Sequence, residues 1–354
     1  MSSSSAPPET LSLQDLGWRT FFVQQLEDEE FQTLVPVRVL AVHRNSLQVA
    51  GETIDDSIPP LFIEDARQID KATVGDWLLI DPETRLPQRL LERFSLFKRG
   101  AAGEQRKNQL IAANVDTLFV VTSCNQDFNV ARLERYLALA RDAGITPVIV
   151  LTKADLTDDA DRFMKDALGL MPGLQVELVN AKDPAQVARL LDWCGRGQTV
   201  GFVGSSGVGK STLINTLLAN EHIATQAIRE IDAKGRHTTT HRQMHRLEAG
   251  GWLLDTPGMR ELQLADMGDG IDEVFSDLVA LSHQCKFNDC QHGPEPGCAI
   301  QTAIAAGQID GARLTRWQKL SKEEAHNSAS PFQKRSKDRI LGRMIKDATK
   351  GKRP

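Results

Sequence analysis

Eight consecutive residues, Gly204, Ser205, Ser206, Gly207, Val208, Gly209, Lys210 and Ser211, carry the most specific chemistry in this 354-residue chain. The apolar run TVGFV (199–203) leads into them, and TLINTLLA (212–219) follows with helical spacing. Strand, glycine-rich loop and helix in that order is the context of a phosphate-binding loop, where backbone N–H groups at a helix N-terminus face nucleotide phosphates. Lys210 then reaches the outer phosphates, the Ser211 hydroxyl takes a place on Mg²⁺, and Thr212 belongs to the same nucleotide-binding set.

Other short stretches decide which nucleotide. After the run PVIVL (147–151) come Thr152, Lys153, Ala154 and Asp155. A carboxylate at a strand end accepts two hydrogen bonds from the N1–H and 2-amino group of guanine, donors that adenine lacks, so Asp155 selects GTP over ATP. Asn180, Ala181 and Lys182 follow the next strand-like run, where a backbone N–H can meet the guanine O6. DTPG (255–258) closes another short run, WLL (252–254), with Asp255 toward Mg²⁺ and the Gly258 N–H toward the γ-phosphate. RHTTT (236–240) lies between the phosphate-binding loop and DTPG and offers hydroxyls, Thr239 among them, to the same Mg²⁺. TKAD by itself reads equally as a helix start capped by Asp155; the set together at matching strand ends is what carries the inference.

The hydrolytic step lacks one familiar part. Many GTPases orient the attacking water with a Gln after DTPG, but here Met259 follows Gly258 and has no useful donor. Slow unassisted turnover is expected, with His237 the first candidate and His241 the second to supply a polar group when their loop orders. Further along, Cys285, Cys290, His292 and Cys298 bring three thiols and an imidazole into 14 residues. Four such ligands at close spacing suit one tetrahedral, structural Zn²⁺. A disulfide with a spare thiol is the competing reading, disfavoured by a start, MSSSSAPPET, without the basic and apolar parts of a secretion signal. Cys124 and Cys194 read as ordinary buried thiols.

The elements that must position these groups divide the chain. Hydrophobic content of 41% and charged content of 25% are ordinary for a globular protein, and no apolar stretch suggests a membrane span. Residues 1–35 read as an acidic, flexible extension. From 36 to 112, short alternating runs and glycine turns suggest a small β-barrel of OB type and a basic linker, with residues 98–109 as a mobile loop. From 113 to 277, apolar runs alternate with helical patterns such as VARLERYLALAR (130–141), as in a doubly wound α/β P-loop domain. Residues 278–354 form a largely helical zinc-binding domain with a basic tail. The net charge is −5, yet residues 311–354 carry 13 Lys and Arg against 4 Asp and Glu. That local excess favours a polyanion, with 313–320 and 334–353 as the expected phosphate contacts.

The order of the motifs is unusual, because the base-reading TKAD precedes the phosphate-reading stretches. With TKAD, GSSGVGKS, GRHTTTHR, DTPGMRE and the cysteine cluster in that order, residues 36–345 resemble the ribosome small-subunit-dependent GTPase A family, circularly permuted GTPases of ribosome biogenesis. The resemblance implies an OB-fold, a permuted GTPase domain and a C-terminal zinc domain. The crowded cysteines and the start without a secretion signal read as cytoplasmic, and with no membrane span or coiled-coil pattern a monomer without a membrane partner is expected. It implies GTP hydrolysis stimulated by the small ribosomal subunit during late maturation, with rRNA and other assembly factors as partners. GTP is expected to hold the domains in an RNA-binding arrangement and hydrolysis to release them. The alternative is an RNA-binding assembly module in which nucleotide is structural. Two positions depart from the family's pattern: Thr152 stands where Asn is usual, altering a contact that braces the base pocket, and Asn180 stands where Ser is usual.

Overall fold

Strands in the computed structural model, which describes residues 11–59, 72–99, 109–219, 242–255 and 267–328, fall in two groups. β1 (Val35–Val42), β2 (Leu47–Ala50), β3 (Asp55–Ile58), β4 (Trp77–Ile80) and β5 (Pro87–Leu90) pair antiparallel in the order β3-β2-β1-β4-β5. Their alternate residues Val37, Val39, Leu47, Val49, Leu78 and Ile80 close a private apolar core, the small OB-type barrel. A hairpin of β6 (Leu96–Arg99) and β7 (Gln109–Ala113) follows. Lys98 and Arg99, expected in a mobile loop, belong instead to a strand; residues 100–108 lie outside the described residues.

The second group is β8 (Thr117–Ser123), β9 (Thr146–Thr152), β10 (Gln175–Leu178), β11 (Thr199–Val203), β12 (Arg242–Arg246) and β13 (Trp252–Asp255), ordered β10-β9-β8-β11-β13-β12. All pair in parallel except β12. β8 is buried along its whole length, and its period-2 alternation decides the layering. Leu118 and Val120 pack with Leu133 and Leu137 of the helix Val130–Asp142. Phe119 and Val121 pack on the other face with Leu213 and Leu217 of the helix Lys210–Ala219. The sheet is therefore doubly wound, with the chain reversing direction across the sheet between β8 and β11. That switch point is where ligands bind in such sheets.

β12 was not legible in the sequence. It pairs antiparallel with β13 on one side and with β1 on the other, through Ala41 with Gln243 and Val42 with Arg242, so barrel and α/β sheet share one continuous ladder. Beside this junction Arg38 is fully enclosed. Its Nη1 donates to Leu16 O at 2.6 Å, and its Nη2 donates to Thr199 Oγ1 at 2.7 Å and to Asn114 O at 3.2 Å. Burial lowers its pKa to about 10, opposed by the Asp116 carboxylate.

The expectation of a flexible extension over 1–35 does not hold for residues 11–34, because apolar anchors override the acidic composition. Leu16 and Phe22 are 0% exposed, and Trp18 stacks on Phe22 and meets the edge of Trp77. Trp252 Nε1 donates to Asp15 O at 2.7 Å, and Arg19 pairs with Asp116 at 2.8 Å. The Arg196 guanidinium holds the Asp15 carboxyl well below the usual carboxylate range. The acidic run itself is used locally: Glu27 and Glu30 form a capping box on the helix Asp28–Thr33, and Glu30 pairs with Arg89.

Of the C-terminal helices, Gly268–Val274 docks on the helix Val130–Asp142, Ser276–Ser282 and Gly311–Ser328 pack against Gly268–Val274, and Ala299–Ala305 packs on Ser276–Ser282. Gly270 makes the approach possible, since a Cβ there would lie 2.0 Å from Ala138 O, a backbone atom that cannot step aside. Alanine gains about 1 kcal/mol of helix propensity over glycine, whereas overpacking costs about 1–3 kcal/mol or more. Contact this close puts the balance on the destabilising side. Gly270→Ala is expected to lower the thermal midpoint, and an unchanged or raised midpoint would contradict this packing. The docking also carries charge: Arg313, expected as a phosphate contact, is 9% exposed and turned inward to Asp277 at 2.8 Å and Glu134 at 3.4 Å. Arg316 takes the other Glu134 oxygen at 2.7 Å. Burial raises the Glu134 pKa, and Arg316 and Arg313 oppose that shift.

Candidate functional site

The glycine-rich loop leaves β11 at the switch point, as the sequence pattern requires. Gly204, Gly207 and Gly209 have φ of 145°, 80° and 97°, conformations that L side chains rarely adopt. At Gly204 a Cβ would also lie 2.2 Å from Val121 O of β8, so the loop can enter only through glycine. Lys210 opens the following helix and is 8% exposed. Its Nζ donates to Gly204 O at 2.7 Å and to Ser205 O, which keeps the ammonium over the loop where outer phosphates would sit. Ser206 and Gly207 are exposed at the rim, while Ser211 and Thr212 are half-buried in the first helical turn. With its backbone cradle open and one cation across it, the loop fits a polyphosphate.

β9 ends beside this loop and carries the base-reading candidates. Lys153 has φ of 58°, a left-handed conformation uncommon for a non-glycine residue, and it turns the chain so that Asp155 stands exposed on the short 3₁₀ turn Ala154–Leu156. Thr152 is fully buried, and its hydroxyl donates to Val208 O of the phosphate loop. The departure at Thr152 thus leaves a hydroxyl link between this turn and the phosphate loop. After β10, the Lys182 N–H donates to Asn180 Oδ1 at 3.0 Å, and Thr216 Oγ1 of the phosphate-loop helix donates to Ala181 O at 2.7 Å. Side-chain hydrogen bonds thus tie both base-side loops to the phosphate loop or its helix. Asp255 ends β13 opposite Gln243. His237, Thr239, His241, Gly258 and Met259 lie outside the described residues.

The cysteine cluster is brought together as its spacing suggested. Cys285 Sγ lies 3.6 Å from His292 Nδ1 and 4.0 Å from Cys298 Sγ, with Cys298 Sγ 3.8 Å from His292 Nδ1. The ligand atoms of Cys285, Cys290, His292 and Cys298 all lie within 4.8 Å of one another. All five cysteines are unbridged. Thiolate and imidazole ligands about 2.0–2.3 Å from one tetrahedral ion stand about 3.5–3.8 Å apart, so the set fits a single metal ion. His292 pays for its place with φ of 59° and stacks on Trp317 of the helix Gly311–Ser328, at 5.6 Å between ring centroids. Cys298 also caps the helix Ala299–Ala305, accepting from Gln301 N–H. Outside the cluster, burial pushes the Cys124 thiol up to about 11, which leaves it unreactive.

One residue at the site escaped the sequence reading. Arg132, in the first turn of the helix Val130–Asp142, donates from Nη1 to Ser205 Oγ in the phosphate loop. No local pattern separates it from the other arginines of that amphipathic helix.

Known proteins agree with this architecture. The family model described as RsgA GTPase matches residues 90–265. The "Small ribosomal subunit biogenesis GTPase RsgA" of Mesorhizobium japonicum is 52% identical over 90% of this chain and 91% of its own length. The "Small ribosomal subunit biogenesis GTPase RsgA 2" of Vibrio parahaemolyticus is 46% identical over 96% of this chain and 94% of its own. Among solved structures, YjeQ from Thermotoga maritima superposes with a TM-score of 0.59 at 25% identity, over 82% of this chain and 98% of that one. Identity of 46–52% over nine-tenths or more of the chain, with the family model spanning the phosphate loop, shows that the chain belongs to the RsgA GTPase family.

Proposed function

We propose that this chain is a GTPase of small ribosomal subunit maturation, which binds the subunit and its rRNA with GTP in place and leaves on hydrolysis. The observation that carries the reading is the meeting, at one switch point, of the phosphate loop of β11 with the base-reading turn of β9, joined through Thr152 and Val208. In this reading Asp155 accepts from the guanine edge, with Thr152 and Lys153 shaping its turn and Asn180, Ala181 and Lys182 closing the pocket. Loop amides from Gly204 to Thr212 hold the phosphates, and Lys210 turns from its carbonyl partners to the outer ones. Ser211, Thr239 and Asp255 hold Mg²⁺, which when bound neutralises charge between the outer phosphates. The Gly258 N–H contacts the γ-phosphate, and His237 supplies the polar group that Met259 does not. Cys285, Cys290, His292 and Cys298 hold one structural Zn²⁺.

The parts of the chain follow from this. Residues 36–112 make the barrel and its hairpin, 113–277 the permuted GTPase domain, and 278–354 the zinc domain with its basic tail. Residues 11–34 belong with the junction of the first two, since they pack on both. No described helix is long and apolar enough to cross a membrane, and we place the protein's work in the cytoplasm, where ribosomes mature. The test is steady-state GTP hydrolysis with and without purified small subunits. Stimulation of about tenfold or more is expected, the scale on which a supplied polar or acid–base group acts being about 10²–10⁴. His237→Ala should lose the stimulation while keeping GTP affinity. Turnover unchanged by subunits that demonstrably bind would favour an RNA-binding module in which nucleotide is structural.

A further inference from the structure

Arg132 stands apart from the other arginines of its helix. Arg135 pairs with Glu323 and Arg141 with Glu273, each across the joint to the C-terminal helices. Arg132 is exposed, its hydrogen-bond partner is the neutral hydroxyl of Ser205, and among the described residues no carboxylate neutralises it. A guanidinium has five N–H donors in a planar fork matched to carboxylate and phosphate oxygens. One donor is engaged by the phosphate loop, so the rest of the fork is held at the mouth of the site with its charge uncompensated.

Its position is firmly set. The Asn129 side chain caps the helix by accepting from the Arg132 N–H at 3.0 Å, which fixes the backbone from which the guanidinium reaches. Two residues on, Glu134 is locked between Arg313 and Arg316. The helix is thus clamped at its C-terminal-domain face while Arg132 leans on the phosphate loop. A phosphate in that loop would meet Lys210 from inside the cradle and Arg132 from its rim.

We propose that Arg132 is a second nucleotide-binding cation, contacting the terminal phosphate of the bound nucleoside triphosphate and thereby distinguishing it from the diphosphate. This rests on the reading of 204–211 as the nucleotide site. Ser205 serves as its holding partner when no phosphate is present. Because the same helix bears the Glu134 joint, the cation that reads the terminal phosphate is mounted on the element that carries the C-terminal domain.

The experiment compares the affinity of the full chain for GDP and for the non-hydrolysable β,γ-imido analogue of GTP, in wild type, Arg132→Gln, Arg132→Lys and Lys210→Ala. Loss of one charge-assisted phosphate contact is expected to weaken the analogue about tenfold or more in Arg132→Gln and GDP by less than about twofold. Arg132→Lys, which keeps the charge without the fork, should recover part of the loss; should the glutamine variant fail to fold, weakening of the analogue alone by the lysine variant carries the same meaning. Unchanged affinity for the analogue, or equal losses for both nucleotides, would overturn the assignment. Lys210→Ala separates the two levels: if it too leaves both affinities intact, the nucleotide site itself has been misplaced, whereas its loss of binding beside a silent Arg132→Gln rejects Arg132 alone.

Discussion

Lys210→Ala is expected to weaken GTP binding by about a hundredfold or more and to leave no measurable hydrolysis, because removing one preorganised charged contact to a phosphoryl group costs about 3–4 kcal/mol. The residue is 8% exposed, and its ammonium already lies over the loop on Gly204 O and Ser205 O. No other described lysine or arginine donates from inside the cradle, since Arg132 approaches through the Ser205 hydroxyl at the rim. The fold should tolerate the change. The two carbonyls lose a donor, a hydrogen bond contributing about 1 kcal/mol, and the apolar cluster under the helix through Leu213 and Leu217 is untouched. The measurement is nucleotide affinity alongside thermal unfolding. A near-normal midpoint with binding lost is the expected pair, and retained hydrolysis would remove the loop from the mechanism.

Metal removal should have the largest effect on structure. The knuckle between the helices Ser276–Ser282 and Ala299–Ala305 buries little of its own: Cys298, Ile300 and Ala303 are enclosed, but Lys286, Phe287, Asn288, Asp289 and Gln291 are exposed. Structural zinc contributes about 10–16 kcal/mol of apparent binding energy in small peptides of this kind, far above what those three side chains supply at about 25 cal/mol per Å². Chelation, or Cys298→Ser, is therefore expected to abolish hydrogen-exchange protection across residues 283–305 and to free Trp317 from His292. The helix Gly311–Ser328 should stay docked at its start, because Arg313 and Arg316 are held by Glu134 and Asp277 rather than by the knuckle. Basal GTP hydrolysis should persist, since the phosphate loop is held by Thr152, Lys210 and Arg132 and not by the knuckle's ligands. Protection unchanged in the metal-free protein would show that the four ligands do not hold this segment together.

Different residues were legible to different degrees. The phosphate loop was readable because its function is written in backbone conformation, and glycines with positive φ before a lysine and a serine have few other uses. The cysteine cluster was readable because its ligands are close in sequence. Thr152 was visible only as a departure; that its hydroxyl meets Val208 O depended on how β9 and β11 are set beside β8. Arg313 turns inward for a reason the local pattern hides: a basic helix looks solvated until Glu134, 179 residues earlier, is found buried against it. The acidic start misled in the same way, since composition averaged over Glu27, Asp28, Glu29 and Glu30 concealed the apolar anchors Leu16 and Phe22.

By itself, then, the amino-acid sequence determined the local chemistry: which loop has the glycines to cradle phosphate, and which four side chains can share a metal. Each of these is encoded by residue types within a few positions, where chain geometry leaves little choice. The tertiary structure alone decided how those pieces are joined. It set β12 between β13 and the barrel strand β1, enclosed Arg38 against Thr199 across 161 positions, and laid Arg132 on Ser205 across 73. Such partners are chosen by which faces the packed core brings together, and pairing across that distance leaves no periodic mark on either segment.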